Sequence, residues 1–364
     1  GTNAFSFSNL RSVDVPAGLK MIDGGTFGYC QSLKKVILHE GLEFIEQGAF
    51  TDNDSLDTLY IPSSVKHIGA LVAYNGNCYF KHIEFAPNPD TLYLPEYFFA
   101  NCVNLNSVIF RENTMLTKGC FNNCTGLKSL EHIKIPECNT ELPEHCFSQC
   151  ISFEQITIPE SIESIQKFAF SYCTKLQKIK FPDSLKTINE GAFQYCKSLK
   201  SIVIPEKVST IGDRAFLCSP YKSDTTLTEI WMMGSTPPVL DGDRCFPNHY
   251  DILVHIPCKT TSIYDRKWGY NRFKFHEECT GVEEHTSDGD ITVFPNPTVE
   301  TLNIVSDNKE ISRIELYNNI GKLIEIKEKC GNNSRVSIDQ PAGIYFVSIT
   351  LSDGSRTVKK IIKK

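Results

Sequence analysis

The sequence predicts a solenoid of about eleven stacked coils followed by a small all-β sandwich. The first observation is a 23-residue period between Ile158 and Phe216, in which proline, isoleucine, Ala-Phe and cysteine positions recur together. A repeat of this length cannot bury its apolar side alone and must stack on its neighbours. The second observation is that the period ends near Ile291, where short alternating apolar segments separated by turn residues begin. Such segments are typical of strands in a β-sandwich.

Each coil is expected to contribute one short parallel strand and to return through an irregular or 3₁₀ segment. The strand corresponds to the motif L-x-x-I-x-I-P, in which apolar residues alternate and a proline without an N–H ends the run. The apolar triplets begin at Leu10, Leu33, Leu56, Phe80, Leu105, Leu130, Phe153, Leu176, Leu199 and Leu227, and Val254, Ile256 and Pro257 give an eleventh strand. Their spacing is 23 to 25 residues except for 28 before Leu227, so an inserted loop is expected near residues 219–226.

Two regions depart from the repeat. Ala73 and Gly76 stand where other coils have Phe and Cys, which predicts a thinner core in that coil. Residues 258–276, after the last coil, combine many polar residues with three aromatic ones, Tyr264, Trp268 and Phe273. Because the open end of a solenoid must be covered, this segment is expected to be a C-terminal cap.

The full repeat, L-x-x-I-x-I-P-x-x-(L/I/V)-x-x-I-x-x-x-A-F-x-x-C, resembles the leucine-rich repeats of the BspA-like family of bacterial surface proteins. About nine columns recur together, and the resemblance covers residues 1–276. It implies a right-handed solenoid with a parallel sheet on one face. It also implies an exported protein, since members of the family are exported and several are adhesins or host-protein binders. The Tyr–Trp–Phe segment resembles the cap that these repeats commonly carry.

Residues 291–364 resemble, over nearly their whole length, the C-terminal sorting domain of the type IX (Por) secretion system of Bacteroidota. The matching positions include Pro295, Asn296, Pro297, Gly321, Gly343, Tyr345, Lys359 and Lys360. The resemblance implies that this domain is a secretion and anchoring signal. Cargo with such a domain crosses the outer membrane, and the domain is usually removed while the remainder is attached to surface polysaccharide or released.

Charge and hydropathy narrow the class of protein. With a net charge of −6, nothing argues for nucleic-acid binding, which usually leaves a basic stripe in the sequence. No apolar run approaches the length of a transmembrane helix. Residues 277–290 hold six carboxylates and no Lys or Arg, as expected of an exposed linker. The chain opens within the repeat at Ala4-Phe5, so a signal peptide is expected upstream, removed from this sequence.

The 15 cysteines have two interpretations. Four of them form a C-x3-C…C-x3-C pattern that resembles a zinc site, namely Cys120, Cys124, Cys146 and Cys150. The repeat itself accounts for all four, because they fill the small-residue column and the Cys column of their coils. We therefore expect buried thiols rather than a metal site or bridges within the column. Disulfides are more expected at the cysteines outside the columns, Cys245, Cys258 and Cys279.

No catalytic or cofactor motif is present. The sequence lacks G-x-S-x-G, H-E-x-x-H and the glycine-rich phosphate loops. Two short acidic segments, 241–243 and 288–290, have too few carboxylates for a calcium site and are expected to be turns. Four histidines with a cysteine or acid nearby in sequence are interpreted as scattered surface residues: His132, His145, His249 and His255. We therefore expect no cofactor.

The outward positions of the strands remain as the candidate site. They are Lys35, Ile37, Thr58, Tyr60, Ser107, Ile109, His132, Lys134, Gln155, Thr157, Lys178, Lys180, Ser201, Val203, Glu229 and Trp231. Several are apolar or aromatic, which favours protein contacts. Strand propensity alone explains the same residues equally well, so both interpretations stay open.

These observations predict a non-enzymatic, exported cell-surface protein of the adhesin type. The expected partners are a host extracellular-matrix or plasma protein, by analogy with the family, and the secretion machinery through residues 291–364. One alternative is a surface spacer without a specific ligand. Another is an enzyme with its site in the insert at residues 219–250.

Overall fold

The computed structural model describes residues 1–364 except 71–77, 220–225, 248–251, 270–272, 279–290, 295–297, 299–300, 307–308, 319–321, 342 and 364, and except the side chains of residues 278, 292 and 294. The chain divides into two compact units, Gly1–Glu277 and Glu278–Lys364. The first unit is built from the repeats. The second contains the residues whose alternation predicts a sandwich.

The repeat unit contains 21 described strands and one helix. They are β1 Ser12–Asp14, β2 Met21–Ile22, β3 Lys35–Ile37, β4 Phe44–Ile45, β5 Thr58–Ile61, β6 His67–Ile68, β7 His82–Phe85, β8 Leu92–Tyr93, β9 Ser107–Ile109, β10 Thr114–Met115, β11 Glu141–Leu142, β12 Gln155–Thr157, β13 Ser164–Ile165, β14 Lys178–Lys180, β15 Thr187–Ile188, β16 Ser201–Ile204, β17 Thr210–Gly212, β18 Glu229–Met232, β19 Val239–Asp241, β20 Leu253–Pro257, α1 Thr261–Trp268 and β21 Lys274–Glu278.

The strands form two rows of parallel neighbours. The first row follows the L-x-x-I-x-I-P motif and includes the three-stranded sheet β5-β7-β9 and the strands β16, β18 and β20, next to which β21 of the cap segment is added. The second row consists of strands of two or three residues around the next isoleucine column, as in the sheet β11-β13-β15-β17-β19. The solenoid predicted from the repeat is therefore confirmed, and the structure adds a second short strand to most coils.

One expected strand does not form. Residues 130–135 close a turn, in which the Ile133 N–H donates to the Leu130 carbonyl oxygen at 3.1 Å. Lys134 has a φ of 45°, which is incompatible with an extended strand. Ile133 is nevertheless fully buried, so the apolar positions keep their place in the core while the backbone leaves the sheet. The first row is consequently interrupted between β9 and β12.

The core contains a column of stacked phenylalanine rings. Phe170 lies 5.3 Å from Phe147 and 5.2 Å from Phe193, measured between ring centroids, with nearly parallel planes. Phe193 stacks on Phe216 at 5.4 Å, and Phe216 on Phe246 at 5.5 Å. All of these rings are buried. The stacking of successive coils around a shared phenylalanine column, which the 23-residue period predicts, is confirmed.

Three coils meet at a buried arginine. Arg111 occupies the column that holds Pro159 and Pro182 elsewhere, and it is only 2% exposed. Its Nε donates to the Ala86 oxygen at 3.1 Å, its Nη1 to the Val65 oxygen at 3.0 Å and its Nη2 to the Pro62 oxygen at 2.8 Å. The guanidinium thus joins its own coil to the two preceding ones. Ala73 and Gly76, where a thinner core is expected, lie outside the described residues.

Residues 258–276 cover the end of the core. Helix α1 buries Tyr264 and Trp268, and Phe273 is buried beside them. The Tyr264 hydroxyl donates to the Gly234 oxygen at 2.6 Å, and the Trp268 Nε1 donates to the Pro238 oxygen at 2.9 Å. Both rings therefore bury their apolar surface while their polar atoms remain hydrogen-bonded.

The second unit is all β, as the sequence predicts. Its described strands are β22 Ile291–Phe294, β23 Thr301–Ser306, β24 Ile311–Asn318, β25 Leu323–Gly331, β26 Asn333–Ser337, β27 Gly343–Leu351 and β28 Arg356–Lys363. They form two antiparallel sheets, β22-β23-β26 and β25-β24-β27-β28. The apolar residues of both sheets share one core, which includes Leu302, Ile314 and Val347.

Candidate protein-binding surface

The outward side chains of the first row of strands are called the strand face. Of the 16 predicted positions, three are half-buried, Ile37, Ser107 and Trp231. The others are exposed: Lys35, Thr58, Tyr60, Ile109, His132, Lys134, Gln155, Thr157, Lys178, Lys180, Ser201, Val203 and Glu229. His132 and Lys134 lie on the turn at 130–135 rather than on a strand, so they do not belong to a continuous sheet.

The first apolar cluster of the strand face lies on the sheet β5-β7-β9. The parallel register places Tyr60 beside Glu84 and Glu84 beside Ile109. Neighbouring strands are about 4.8 Å apart, so these three side chains form one contiguous patch. Tyr60 is 49% exposed and Ile109 47%, whereas the inward residues of the same strands are fully buried. Two large apolar side chains thus stand in solvent on a rigid support.

Two residues of this patch, His82 and Glu84, are not among the predicted positions. The apolar triplet that begins at Phe80 was a sufficient signal, because it directs residues 82 and 84 outward. His82 Nδ1 lies 2.7 Å from the Ser107 Oγ, and His82 Nε2 lies 3.9 Å from the Glu84 carboxylate.

A hydroxyl, an imidazole and a carboxylate therefore meet on the strand face. Acyl-transfer chemistry also requires N–H donors for an oxyanion. The N–H groups of Ser107 and Val108 already donate to the Lys81 and His132 oxygens. These two N–H groups are therefore not available to an oxyanion beside the Ser107 hydroxyl.

The second apolar cluster lies on β16, β18 and β20. Val203 is 48% exposed and pairs in register with Trp231, which pairs with His255. The indole of Trp231 stacks on the His255 imidazole at a centroid distance of 3.6 Å. Because one face of the indole is covered in this way, Trp231 offers less free surface than Tyr60. Between the two clusters lie polar and basic residues, including Lys178 and Lys180 on β14.

The repeats match the family model of the BspA type leucine rich repeat region, in six copies, over residues 1–128 and 125–233. The chain belongs to the BspA-type leucine-rich repeat family. Residues 292–364 match the model of a secretion system C-terminal sorting domain. The two matches together indicate an exported repeat protein that is attached at the cell surface.

Solved structures similar to the chain come from several bacteria. A leucine-rich cell surface protein from Faecalibacterium prausnitzii is 23% identical over 75% of this chain and 61% of its own, with a TM-score of 0.35. The pneumococcal vaccine antigen PcpA is 21% identical over 75% of this chain and 70% of its own, with a TM-score of 0.42. A leucine-rich repeat protein from Bacteroides ovatus is 21% identical over 76% and 86%, with a TM-score of 0.39.

A curated enzyme also matches a part of the chain. A stretch of 97 residues is 29% identical to an ulvan lyase from Nonlabens ulvanivorans. The match covers 25% of this chain and 18% of the lyase, so the chain spans less than a fifth of that protein's length. Among the residues that the structure describes, no helix is both long and apolar enough to cross a membrane.

The sorting-domain residues have mixed positions in the structure. Gly343 begins β27, and the buried Tyr345 donates from its hydroxyl to the Pro341 oxygen at 2.5 Å. Lys359 and Lys360 are half-buried on β28, opposite Val347 and Phe346. Pro295, Asn296, Pro297 and Gly321 lie outside the described residues.

The cysteine column of the BspA-type repeats forms hydrogen bonds between coils. The Cys124 thiol donates to the Phe99 oxygen at 3.0 Å, and Cys173 donates to the Phe147 oxygen at 3.3 Å. In the coil that has Asn53 instead, its Nδ2 donates to the Phe27 oxygen at 2.8 Å. The column therefore supplies a hydrogen-bond donor to the phenylalanine carbonyl of the preceding coil. The donor is either a cysteine thiol or an asparagine amide.

The four cysteines of the zinc-like pattern are all buried, and none is bridged: Cys120, Cys124, Cys146 and Cys150. Burial raises the pKa of each of these thiols, so the thiolate that a metal requires is disfavoured. Within the described residues, no three His, Cys, Asp or Glu side chains are grouped to hold a metal ion.

The cysteine expectations need one correction. Cys102, a member of the column, forms a disulfide with Cys78 across a Cα–Cα distance of 4.3 Å. Stacked coils bring column members close enough for a bridge, and Cys78 lies in the coil that departs from the repeat. Of the other cysteines predicted to bridge, Cys258 is disulfide-bonded. Cys245 is a buried thiol and not part of a disulfide, because it precedes Phe246 of the phenylalanine column and so fills the small-residue column; its sulfur donates to the Ile211 and Gly242 oxygens. Cys279 lies outside the described residues.

We expect the native protein to react slowly with a thiol reagent at all column cysteines. Cys138 is half-buried and should be modified first among the described thiols, while Cys124, Cys150 and Cys173 should react only after unfolding. Timed labelling with a thiol reagent followed by peptide mass spectrometry measures this order. Cys138→Ser should remove the fast phase, and rapid native labelling of the column would contradict the prediction.

The remaining sequence candidates do not assemble into a site. His145 stacks on Phe168 at 5.2 Å, and burial lowers its pKa. His255 is buried against Trp231, while His132 is exposed near Ser129. The segment 241–243 lies at the end of β19 and in the following bend. His249 and residues 288–290 lie outside the described residues.

Proposed function

We propose that this exported BspA-type protein is a non-enzymatic, adhesin-type binder that recognises a protein partner through the strand face. The observation that carries the proposal is the exposure of Tyr60, Ile109 and Val203 on otherwise well-packed strands. Apolar and aromatic side chains within a polar surround have the anatomy of a protein-binding hot spot. A row of stacked coils supports recognition over a wide area rather than in a pocket.

A host extracellular-matrix or plasma protein is the partner class we propose, by analogy with adhesins of this family. The polar section between the two apolar clusters adds a chemical constraint. Lys178 and Lys180 are both exposed there, next to the exposed Gln155 and Thr157. A partner that spans both clusters would therefore need acidic or neutral groups opposite β14.

Truncation of the two apolar clusters should weaken binding. Tyr60→Ala and Ile109→Ala are each expected to lower affinity by about 10- to 100-fold, because each removes one of the two large exposed apolar side chains of the patch. Trp231→Ala should have a smaller effect, since its indole is partly covered by His255. The measurement is biolayer interferometry against a panel of purified matrix and plasma proteins.

Tyr172→Ala is the matched control, because Tyr172 is 47% exposed but lies on a turn outside the strand face. Equal losses in Tyr60→Ala and Tyr172→Ala would move the binding site elsewhere. Absence of any saturable partner across the panel would favour the alternative, a surface spacer without a specific ligand.

The similarity to an ulvan lyase suggests a direct test of the proposal that the protein is not an enzyme. The full chain is incubated with ulvan, and new reducing ends are measured against a heat-denatured sample. Release of reducing ends would contradict the proposal. The insert at residues 219–250, the alternative location for an active site, is only partly described, because residues 220–225 and 248–251 are outside the described set.

The second unit is proposed to act as the export and anchoring signal that its family match implies. Its seven strands and separate core form a compact body, so the signal is a folded domain rather than a short peptide. Removal of this domain after export, and removal of a signal peptide before it, are part of the same proposal.

A further inference from the structure

In its N-terminal half, the second row of strands carries large outward side chains, of which three are apolar and exposed. In each of five strands, one outward side chain stands directly before a buried isoleucine or leucine. These residues are Met21, Phe44, His67, Tyr93 and Met115, called here the Met–aromatic row. Met21 is 42% exposed, Phe44 38% and Tyr93 71%, while His67 is exposed and Met115 half-buried. The parallel register places Met21 beside Phe44 and Phe44 beside His67, and in the next coils Tyr93 beside Met115.

The same column in later coils shows that the fold does not require this row. In the later strands of the row this position is held in turn by Glu141, Ser164, Thr187, Thr210 and Val239, so three consecutive coils have a small hydroxyl residue there. The Ser164 and Thr187 hydroxyls are hydrogen-bonded to each other at 2.7 Å. A ladder of small hydroxyl residues therefore satisfies the solenoid at this position. Methionine and aromatic residues there add exposed apolar surface that these three coils do without, which is typical of an interface.

Charged residues border the row with opposite signs. On one side Lys20 and Lys66 both contact Glu43, at 3.0 Å each, which leaves one net positive charge. On the other side lie the carboxylates of Asp23 and Glu46, which follow the buried isoleucines of β2 and β4. Asp23 pairs with the N-terminal ammonium of Gly1 at 3.1 Å, so Glu46 leaves one net negative charge on this side. The two borders are thus complementary in net charge to each other.

We propose that the Met–aromatic row packs against the same row of a second copy of this chain. A two-fold axis parallel to the direction of coil stacking makes the strands of the two copies antiparallel across the interface. The lysine border of one copy then faces the Asp23 and Glu46 border of the other, which is electrostatically favourable. A two-fold axis parallel to the strands would instead place the lysine border of one copy opposite the lysine border of the other. Two sheets that pack face to face lie about 10 Å apart, a distance that side chains of this size fill.

This proposal is independent of the strand face, which lies on the first row of strands, and it predicts a dimer of the full chain. Sedimentation velocity over a range of micromolar concentrations should show a monomer–dimer equilibrium. The double variant Phe44→Thr with Tyr93→Thr should weaken dimerisation by at least about 100-fold, since two aromatic side chains are lost from each copy. Threonine occupies the same column at Thr187 and Thr210, so the variant is expected to fold, and circular dichroism with thermal unfolding verifies this.

Tyr60→Thr is the matched control, because it removes a similarly exposed aromatic side chain from the strand face. This control should remain dimeric, whereas Lys20→Glu with Lys66→Glu should weaken the dimer by opposing like charges across it. A full chain that stays monomeric at every concentration would overturn the proposal. A dimer that persists in the Phe44 and Tyr93 double variant would overturn it as well, since another surface would then hold the copies together.

Discussion

Replacing Arg111 with methionine should lower the free energy of unfolding of the repeat unit by about 3 kcal/mol or more. The guanidinium donates to the Ala86, Val65 and Pro62 oxygens in a buried site. Methionine conserves much of the volume but offers no donor, so these carbonyl groups lose hydrogen bonds from a charged partner. A buried acceptor without its donor costs about 1–3 kcal/mol. Arg111→Lys should also destabilise, because one ammonium group cannot reach three divergent carbonyls.

Tryptophan fluorescence during urea unfolding of the full chain measures this loss. Both tryptophans, Trp231 and Trp268, belong to the repeat unit, so the signal reports on that unit alone. Arg11→Ala is the control. Because Arg11 is exposed, this substitution should change the free energy of unfolding by less than about 0.5 kcal/mol. A midpoint for Arg111→Met equal to that of the control would show that the three carbonyls find other donors.

Deletion of residues 291–364 should abolish surface display and leave the protein in the periplasm. The deleted part belongs to a separate compact unit with its own core, so the repeat unit is expected to remain folded. Loss of display would then reflect loss of the sorting signal rather than misfolding. Expression in a Bacteroidota host, with protease accessibility on intact cells and fractionation of the periplasm, measures the outcome.

The full chain in the same cells is the control, and periplasmic material should bind conformation-specific antibodies raised against the folded repeats. Normal display of the truncated protein would refute the export role of the second unit. Degradation without periplasmic accumulation would instead show that the repeats depend on the second unit for stability.

The phenylalanine column and the coil count could be predicted because the repeat has a fixed length. When each coil has the same length, residues one period apart, such as Phe170 and Phe193, must lie at the same place in adjacent coils. The apolar positions of each strand follow from the same argument. This is why the solenoid was predictable without any knowledge of long-range contacts.

At residues 130–135 the apolar spacing predicts burial correctly but does not predict the backbone conformation. Leu130, Ile133 and Ile135 have the right spacing, and Ile133 is buried as expected. The backbone nevertheless closes a turn there, because the apolar triplet fixes only which side chains are inside and not how the chain runs between them. The turn separates the sheet β5-β7-β9 from β12 and β14, a break in the strand face that the apolar spacing did not indicate.

By itself, the sequence determined the repeat, the column that fills the core and the change to an all-β domain near Ile291, because each is a local pattern of apolar spacing. The tertiary structure alone decided that Arg111 bonds carbonyls 25 to 49 residues away, that Cys78 pairs with Cys102 and that His255 covers Trp231. These contacts depend on side chains that different coils bring together. The spacing within one repeat fixes neither their direction nor their remaining exposure to solvent.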